Sequence, residues 1–594
     1  MSHASLTEWL FVGDPPGRPV PESEPRASAR GRARRPSRAL APKGLGGSAA
    51  EQGAVRLCST ALLALFIPAC SPPDDATAAG DARDRSEAGA DESGIDTPEG
   101  EGDGADAPAD LPADLPADVP AEAVEAEAEA EADAEAPDDA GDEGTDAACP
   151  VVPPPAPVSP LPIPGESPFG RHEPTTADGF EDEYLYDATD YLKIGVRRGW
   201  GGSIVFFGLA GSTGPGTNPT NTIDANDTGR EVQVAFYDPD RLMQNCAWNA
   251  SCRTTPSACP SSITYLGWDP VQGGNRCNVG SGVDSVDFTD GALRVLTTPL
   301  FWNPDWDRTD CDSSGCSDPG RRSRRSDTRV TQTLRFVATH VVQLEYAVEN
   351  LAATDHAATA QEMPTMYTAN GNGGPDLWRV FDSEGRQVLV DTPAGGDGFF
   401  YEDFDSPGGW VAMQDDGSTY GVGIYYENRL TTFQAWQLRS LPFNNVRARF
   451  SFGIPASAVV RARAYLVLGS YATIAGQVAW LDARLAPFGS LDAPAADAAV
   501  SGTVPVSGWA LDNKGVTSVE LVIDGAATVP LAYGASRPDV CRVWPGYAGC
   551  DAVGFSGTLD ASLLTPCGHL VEVRATDADG NVRVIAAARV FAGS

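Results

Sequence analysis

Along residues 191–470 apolar and polar positions alternate in short runs, with Gly, Pro, Asn and Asp between them. Residues 203–207, 231–237, 293–296, 331–336 and 342–348 carry the pattern most clearly. A strand turns successive side chains to opposite faces, so this alternation predicts sheets with one dry and one wet face. Residues 473–485 break the pattern. Ile474, Val478, Leu481 and Leu485 fall at helical spacing and predict one helix with a core stripe. Past Leu491 the alternation returns, with Val519, Leu521 and Ile523 on one face and Glu520 and Val522 on the other. Asp579-Gly580-Asn581 reads as a hairpin turn, and Trp509 as a core residue. So many strands around a single helix predict an all-β chain, with a large antiparallel β-sandwich over 168–488 and a smaller β domain over 489–594.

The chain before residue 168 shows none of this. Residues 71–148 are built mainly from Ala, Asp, Glu, Pro and Gly. Pro108, Pro112, Pro116 and Pro120 recur every fourth residue, and Glu, with Asp at 133, alternates with Ala from 125 to 135. About 25 of the 40 net negative charges lie here, so the overall acidity says little about the folded part. Such a segment cannot bury enough surface to offset chain entropy, and self-repulsion extends it. Together with the Pro-rich residues 151–168, it predicts a disordered acidic and Pro-rich stalk over 71–167, a spacer leading to the fold.

Upstream, Arg56 precedes an apolar run that ends Ile67-Pro68-Ala69-Cys70. The run is about half the ~20 residues a membrane-spanning helix needs. Its small residue before the break suits a signal peptide over 55–70. Residues 1–54 are rich in Pro, Arg, Gly and Ser, with Arg30, Arg32, Arg34 and Arg35 clustered. One reading is an extension ahead of the natural start, which would then fall at Val55. The other is a basic arm for nucleic acid or membrane. The first is expected, because an arm ahead of a signal peptide would impair export.

The cysteines fit export. Beyond Cys58 and Cys70 they cluster at Cys246, Cys252, Cys259, Cys277, Cys311 and Cys316, then at Cys541, Cys550 and Cys567, with Cys149 alone. Local disulfides are the expected use, with Cys541 joined to Cys550 and Cys567 left open. There is no CxxC pair and no neighbouring His, which speaks against zinc. Trp268, Trp302 and Trp306 stand in loop-like contexts flanked by Pro or Asp, where a ring can stack on a sugar or seal the core. Glycosidases pair a protonated with an ionised carboxyl, and lyases pair a base with a cation. Glu362, with His356 upstream of it, is the candidate catalytic residue, and Arg230 joins the tryptophans as a candidate substrate contact. Asp224, Asn226 and Asp227 offer oxygens for calcium, in a turn that lacks the spacing and terminal Glu of an EF-hand. The basic run Arg321, Arg322, Arg324 and Arg325 reads as a solvated loop; its functional alternative is contact with an acidic polysaccharide. Nucleic acid is not an expected partner of an exported acidic chain.

Several segments resemble known families. The run into Ile67-Pro68-Ala69-Cys70 resembles the lipobox of bacterial lipoproteins, which implies lipidation of Cys70 and a membrane tie through lipid only. Ser71 after that Cys resembles the outer-membrane sorting pattern and implies a periplasmic or surface-exposed protein. Gly201-Gly-Ser-Ile204, Asp227-Thr-Gly-Arg230 with Gln233 and Tyr237, Trp268-Asp-Pro-Val-Gln-Gly-Gly274, Gln361-Glu362-Met-Pro364 and Trp410 to Tyr425 resemble a family of secreted bacterial proteins. Residues 342–350, ending in Glu-Asn, resemble the central strand of galactose-mutarotase-like supersandwiches. That implies a supersandwich-like fold in a carbohydrate-active context, although the pair of catalytic His residues of mutarotases is missing. Residues 504–512, 515–525, 537–540 and 568–581 resemble a bacterial immunoglobulin-like domain, which implies a spacer or adhesive module. Arg537 and Asp539 there are expected to bridge and hold the Cys541 loop. The expectation is a lipoprotein whose sandwich binds or processes a glycan or cell-surface polysaccharide. The alternative is a non-catalytic adhesion or envelope-scaffolding protein.

Overall fold

The structure is a computed structural model that describes residues 149, 151–166, 169–177, 179–211, 218–225, 231–244, 263–269, 280–301, 323–371, 374–388, 400–438 and 443–593. The expected upstream extension, the signal peptide with Cys70 and the acidic part of the stalk lie outside these residues.

The described chain is nearly all strand and forms three sheets. The first, of twelve strands, begins at Phe169–Thr175 and passes through Asp182–Asp187, Leu192–Arg197, Ser203–Leu209, Val232–Gln244, His356–Tyr367, Phe443–Ala448 and Thr432–Leu438 to Phe400–Asp405. The second, of nine, runs from Gln387–Val388 through Arg379–Asp382, Trp410–Gln414, Gly421–Tyr426, Val459–Leu468, Val341–Asn350, Thr328–Ala338 and Ala292–Thr297 to Val283–Thr289. Their named pairings are antiparallel. One shared core fills the space between them, to which the first sheet sends Val232, Val234 and Phe236 and the second Val342, Leu344 and Tyr346. Each such side chain contributes about 1.5–3 kcal/mol by leaving water.

The helical stripe forms α1, Tyr471–Asp482, capped by Ser470, whose Oγ accepts from the Thr473 N–H. Ile474, Val478 and Leu481 seat it on the outer face of the nine-stranded sheet. Leu485 lies past the helix end but belongs to the same cluster.

The third sheet, of eight strands, holds Val519, Leu521 and Ile523 in its own core. Gly580, at a φ of 86°, makes the hairpin between Gly568–Asp577 and Val582–Ala592. Trp509 is not in that core. It is half-buried beside Phe488, Trp544 and Tyr547, a ring cluster at the junction with the large sandwich. At this junction Glu427 of the sandwich accepts from Tyr465 within the sandwich and from Tyr547 of the third domain, the latter at 2.9 Å, with Arg463 at 3.2 Å. Burial first, and the Glu427 carboxylate second, hold both phenols well above their usual range. Asn513 and Lys514 reach Asp482 at the end of α1 at 2.9 and 2.8 Å.

Two disulfides are present among the described residues. Cys541–Cys550 closes a short loop, with Arg537 paired to Asp539 and Asp492 beside it. Cys149, which stands alone in the sequence, and Cys567, whose partner the sequence leaves open, are joined to each other. Spacing could not show this, since the partners stand 418 residues apart. The Pro-rich residues placed in the stalk are packed as well: Arg589 donates to the Val152 carbonyl, Ala486 N to the Pro162 carbonyl, and Ile163 is buried against the α1 cluster.

Candidate functional site

The core needs only every second residue of each strand. On the twelve-stranded sheet the other positions face away from the core, and many of them are polar yet buried. In Val232–Gln244 these are Gln233, Ala235 and Tyr237. Register places Glu362 opposite Ala235, Thr365 opposite Gln233, Arg447 opposite Thr365, Gln434 opposite Arg447 and Asp403 opposite Gln434.

Five of these side chains form one hydrogen-bonded row across five adjacent strands. Tyr237 Oη donates to Glu362 Oε1 at 2.9 Å. Arg447 donates to the same Oε1. The Arg447 guanidinium also donates to Gln434 Oε1 at 2.8 Å, and Gln434 Nε2 donates to Asp403 Oδ1 at 2.7 Å. The Trp436 ring lies 5.8 Å from the Arg447 guanidinium carbon. A register shift between Glu362 and Thr365 is braced by Gln361, which accepts from Tyr237 N at 2.7 Å and donates to Tyr237 O at 3.0 Å.

Glu362 is only 4% exposed, and burial lowers the Arg447 guanidinium from its ordinary range. Both donors meet Oε1, and among the described residues Oε2 has no hydrogen-bond partner. A carboxylate placed this way can accept a proton or bind a hydroxyl through Oε2 while Tyr237 and Arg447 fix its orientation. No other carboxylate of the described residues joins the row except Asp403, two strands beyond Arg447's own bond to Glu362.

Further along the same face Lys193 is held among rings, 4.6 Å from Tyr184 and 4.9 Å from Phe206. Burial lowers its ammonium from the ordinary lysine range. Gly195 makes the room, since a Cβ there would come 2.4 Å from the Tyr184 ring.

Glu362 and His356 share one strand but not one site. Tyr237, which binds Glu362, and Asp238, which binds His356, are successive strand residues and point to opposite faces. His356 is 2% exposed and sits between Asp238 at 3.2 Å and Asp327 at 3.1 Å. Burial alone would lower its imidazole, but the two carboxylates raise it to about 9, which suits a buried ion pair. Trp268 lies in the strand Ile263–Asp269, in register with Phe236 and Phe301, and not in a loop. Asp224 is buried, and its N–H donates to the Tyr367 carbonyl. Arg230, Asn226, Asp227, Trp302 and Trp306 lie outside the described residues. Among the basic run, Arg325 pairs with Asp284 at 2.6 Å. Sequence reasoning missed Arg447, Gln434, Trp436 and Asp403. For Gln434 and Arg447 the signal was a polar residue at the outward position of an otherwise apolar alternation, as in Phe433-Gln434-Ala435 and Val446-Arg447-Ala448.

Among solved structures the chain is similar to a polysaccharide lyase (7% identity, 68% of this chain and 46% of that one, TM-score 0.27). It is also similar to galactose 1-epimerase from Lactobacillus acidophilus NCFM (9% identity, 49% and 95%, TM-score 0.26). A third is 4-alpha-glucanotransferase from Thermococcus litoralis (8% identity, 50% and 39%, TM-score 0.25). The chain thus spans less than half the length of the lyase. No curated protein matches the sequence. Residues 487–538, which open the third sheet, match the bacterial Ig domain family.

Proposed function

We propose that this chain is an envelope-anchored lipoprotein whose large sandwich binds or processes extracellular glycans on the outward face of its twelve-stranded sheet. The observation that carries the reading is Glu362, fixed through one oxygen by Tyr237 and Arg447 while the other has no partner among the described residues, with Trp436 beside the row. Glu362 acts as base or hydroxyl acceptor, Arg447 balances anionic charge, and the buried Trp436 ring backs the Arg447 guanidinium. The test is a polysaccharide panel with the full chain and its Glu362→Gln variant, read for binding and for released product. Product from the wild type alone supports glycan processing. Binding without product supports a lectin-like role. Silence across neutral and acidic glycans overturns the proposal.

The lipid anchor at Cys70 and the outer-membrane location belong to the same proposal, supported by the sequence around Cys70. A mature protein that keeps residues 57–69 and an unmodified Cys70 contradicts it. One observation favours the non-catalytic alternative, adhesion or scaffolding: the third domain is fixed to the sandwich through Glu427, Arg463 and Tyr547, as a rigid display element is.

A further inference from the structure

The outer face of the nine-stranded sheet changes character midway. Under α1 it presents Val341, Trp410, Tyr425 and Val467, which the helix covers. Toward the edge at Val283–Thr289 the outward positions become Thr331, Thr333, Arg335, Arg294, Glu345 and Glu349. These residues line an open cleft of about 590 Å³, a volume within the range of ligand sites.

Two of the three carboxylates lining the cleft are ion-paired, Glu345 with Arg463 at 2.8 Å and Glu349 with Arg329. The third, Asp287, accepts from Thr289 Oγ1 at 3.0 Å and stands opposite Arg294 in register. Arg461 stands at 3.6 Å from Glu345, a loose contact. Two cations are left over. Arg294 is exposed. Arg335 is 9% exposed, with its Nε buried and unbonded, and among the described residues it has no ion pair or hydrogen bond. Burial lowers its guanidinium from the ordinary range, and Glu345 only partly offsets this. A buried cation without a hydrogen-bonded partner is costly, so a fold seldom keeps one unless something else uses it.

What would use it follows from chemistry. A guanidinium presents a planar fork of N–H donors that fits the two oxygens of a carboxylate or sulfate. Beside the charged groups the lining holds the hydroxyls of Thr289, Thr331 and Thr333, with Ala292, Ala347 and Val459 as its small apolar part and no aromatic ring, which suits a polyhydroxylated ligand over a greasy one. We propose that this cleft is a second ligand site, separate from the Glu362 face, that binds the oxyanion of an acidic saccharide with Arg335 as its buried fork and Arg294 and Arg461 at its rim.

Calorimetric titration of the full chain with trigalacturonate, a sulfated disaccharide and neutral maltotriose tests this at low and high salt. Both acidic probes, or the one whose oxyanion fits, bind and weaken with salt, while maltotriose gives no Arg335-dependent heat. Arg335→Gln weakens the acidic probe at least tenfold, and Arg294→Gln weakens it a few-fold. The stronger of the two acidic probes identifies carboxylate or sulfate as the natural group. Equal binding by wild type and Arg335→Gln, or no acidic binding by the wild type, overturns the proposal. A melt without ligand gives an independent reading. A cation kept for a ligand costs stability, so Arg335→Met raises the melting temperature. A lowered one assigns Arg335 to the fold and overturns the site.

Discussion

The two sheets of the large sandwich share one core but turn very different faces away from it. On the twelve-stranded sheet many outward positions are polar, and Tyr237, Glu362, Arg447, Gln434 and Asp403 satisfy one another in a continuous row that runs from the buried Glu362 to the exposed Asp403. On the nine-stranded sheet the outward positions are apolar where α1 covers them and charged where the face stays open, with Arg335 unpartnered among the described residues. The inner positions of both sheets are alike. The core therefore fixes one half of each alternation, and the other half is free to dock a helix, bind a domain or build a site.

The largest expected effect lies on the first face. Arg447→Leu strands the buried Glu362 carboxylate and lowers stability by about 3–5 kcal/mol in chemical denaturation. A loss under about 1 kcal/mol would mean that the row is ornamental and the two faces are alike. On the inner side, His356 tests the pH behaviour of a buried charge. Its folded value of about 9 lies above the unfolded value near 6.5. The stability it contributes is present in full below about pH 6.5 and is lost as pH rises through 9, a fall of about 3 kcal/mol. Melting curves from pH 6 to 10 check this, and His356→Gln should flatten that slope.

The nine-stranded face gives smaller effects. Glu427→Gln keeps the shape at the junction but removes the charge shared by Arg463, Tyr465 and Tyr547, at about 2 kcal/mol. Calorimetry should then separate the melting of the terminal domain from that of the sandwich. Ser470→Ala removes only the cap of α1 and costs about 1 kcal/mol. A loss as large as that of Arg447→Leu would put the helix, and not the polar row, at the centre of stability.

Much of the fold was legible because alternation is a local signal. The strands at 203–207, 231–237 and 342–348, the helix around Ile474 and the turn at Gly580 all stand where their patterns put them. The pairing of Cys149 with Cys567 was not legible, because it depends on a chain path and not on spacing. The site was half legible. Glu362 was named from its motif, but its partner Arg447 lies 85 residues away and meets it only through strand order. His356 is close to Glu362 in sequence and faces the other side, which register shifts within the strand conceal. Arg335 gave no signal at all, since a single Arg on an outward strand position reads as solvated until its burial is seen.

The measurement that bears most directly on the central claim is hydrogen–deuterium exchange of the full chain with and without a glycan that it retains from the panel. The account predicts protection in Val232–Gln244, His356–Tyr367 and Phe443–Ala448, lost in Glu362→Gln. Protection confined to the third domain, or none on the twelve-stranded sheet, would contradict it.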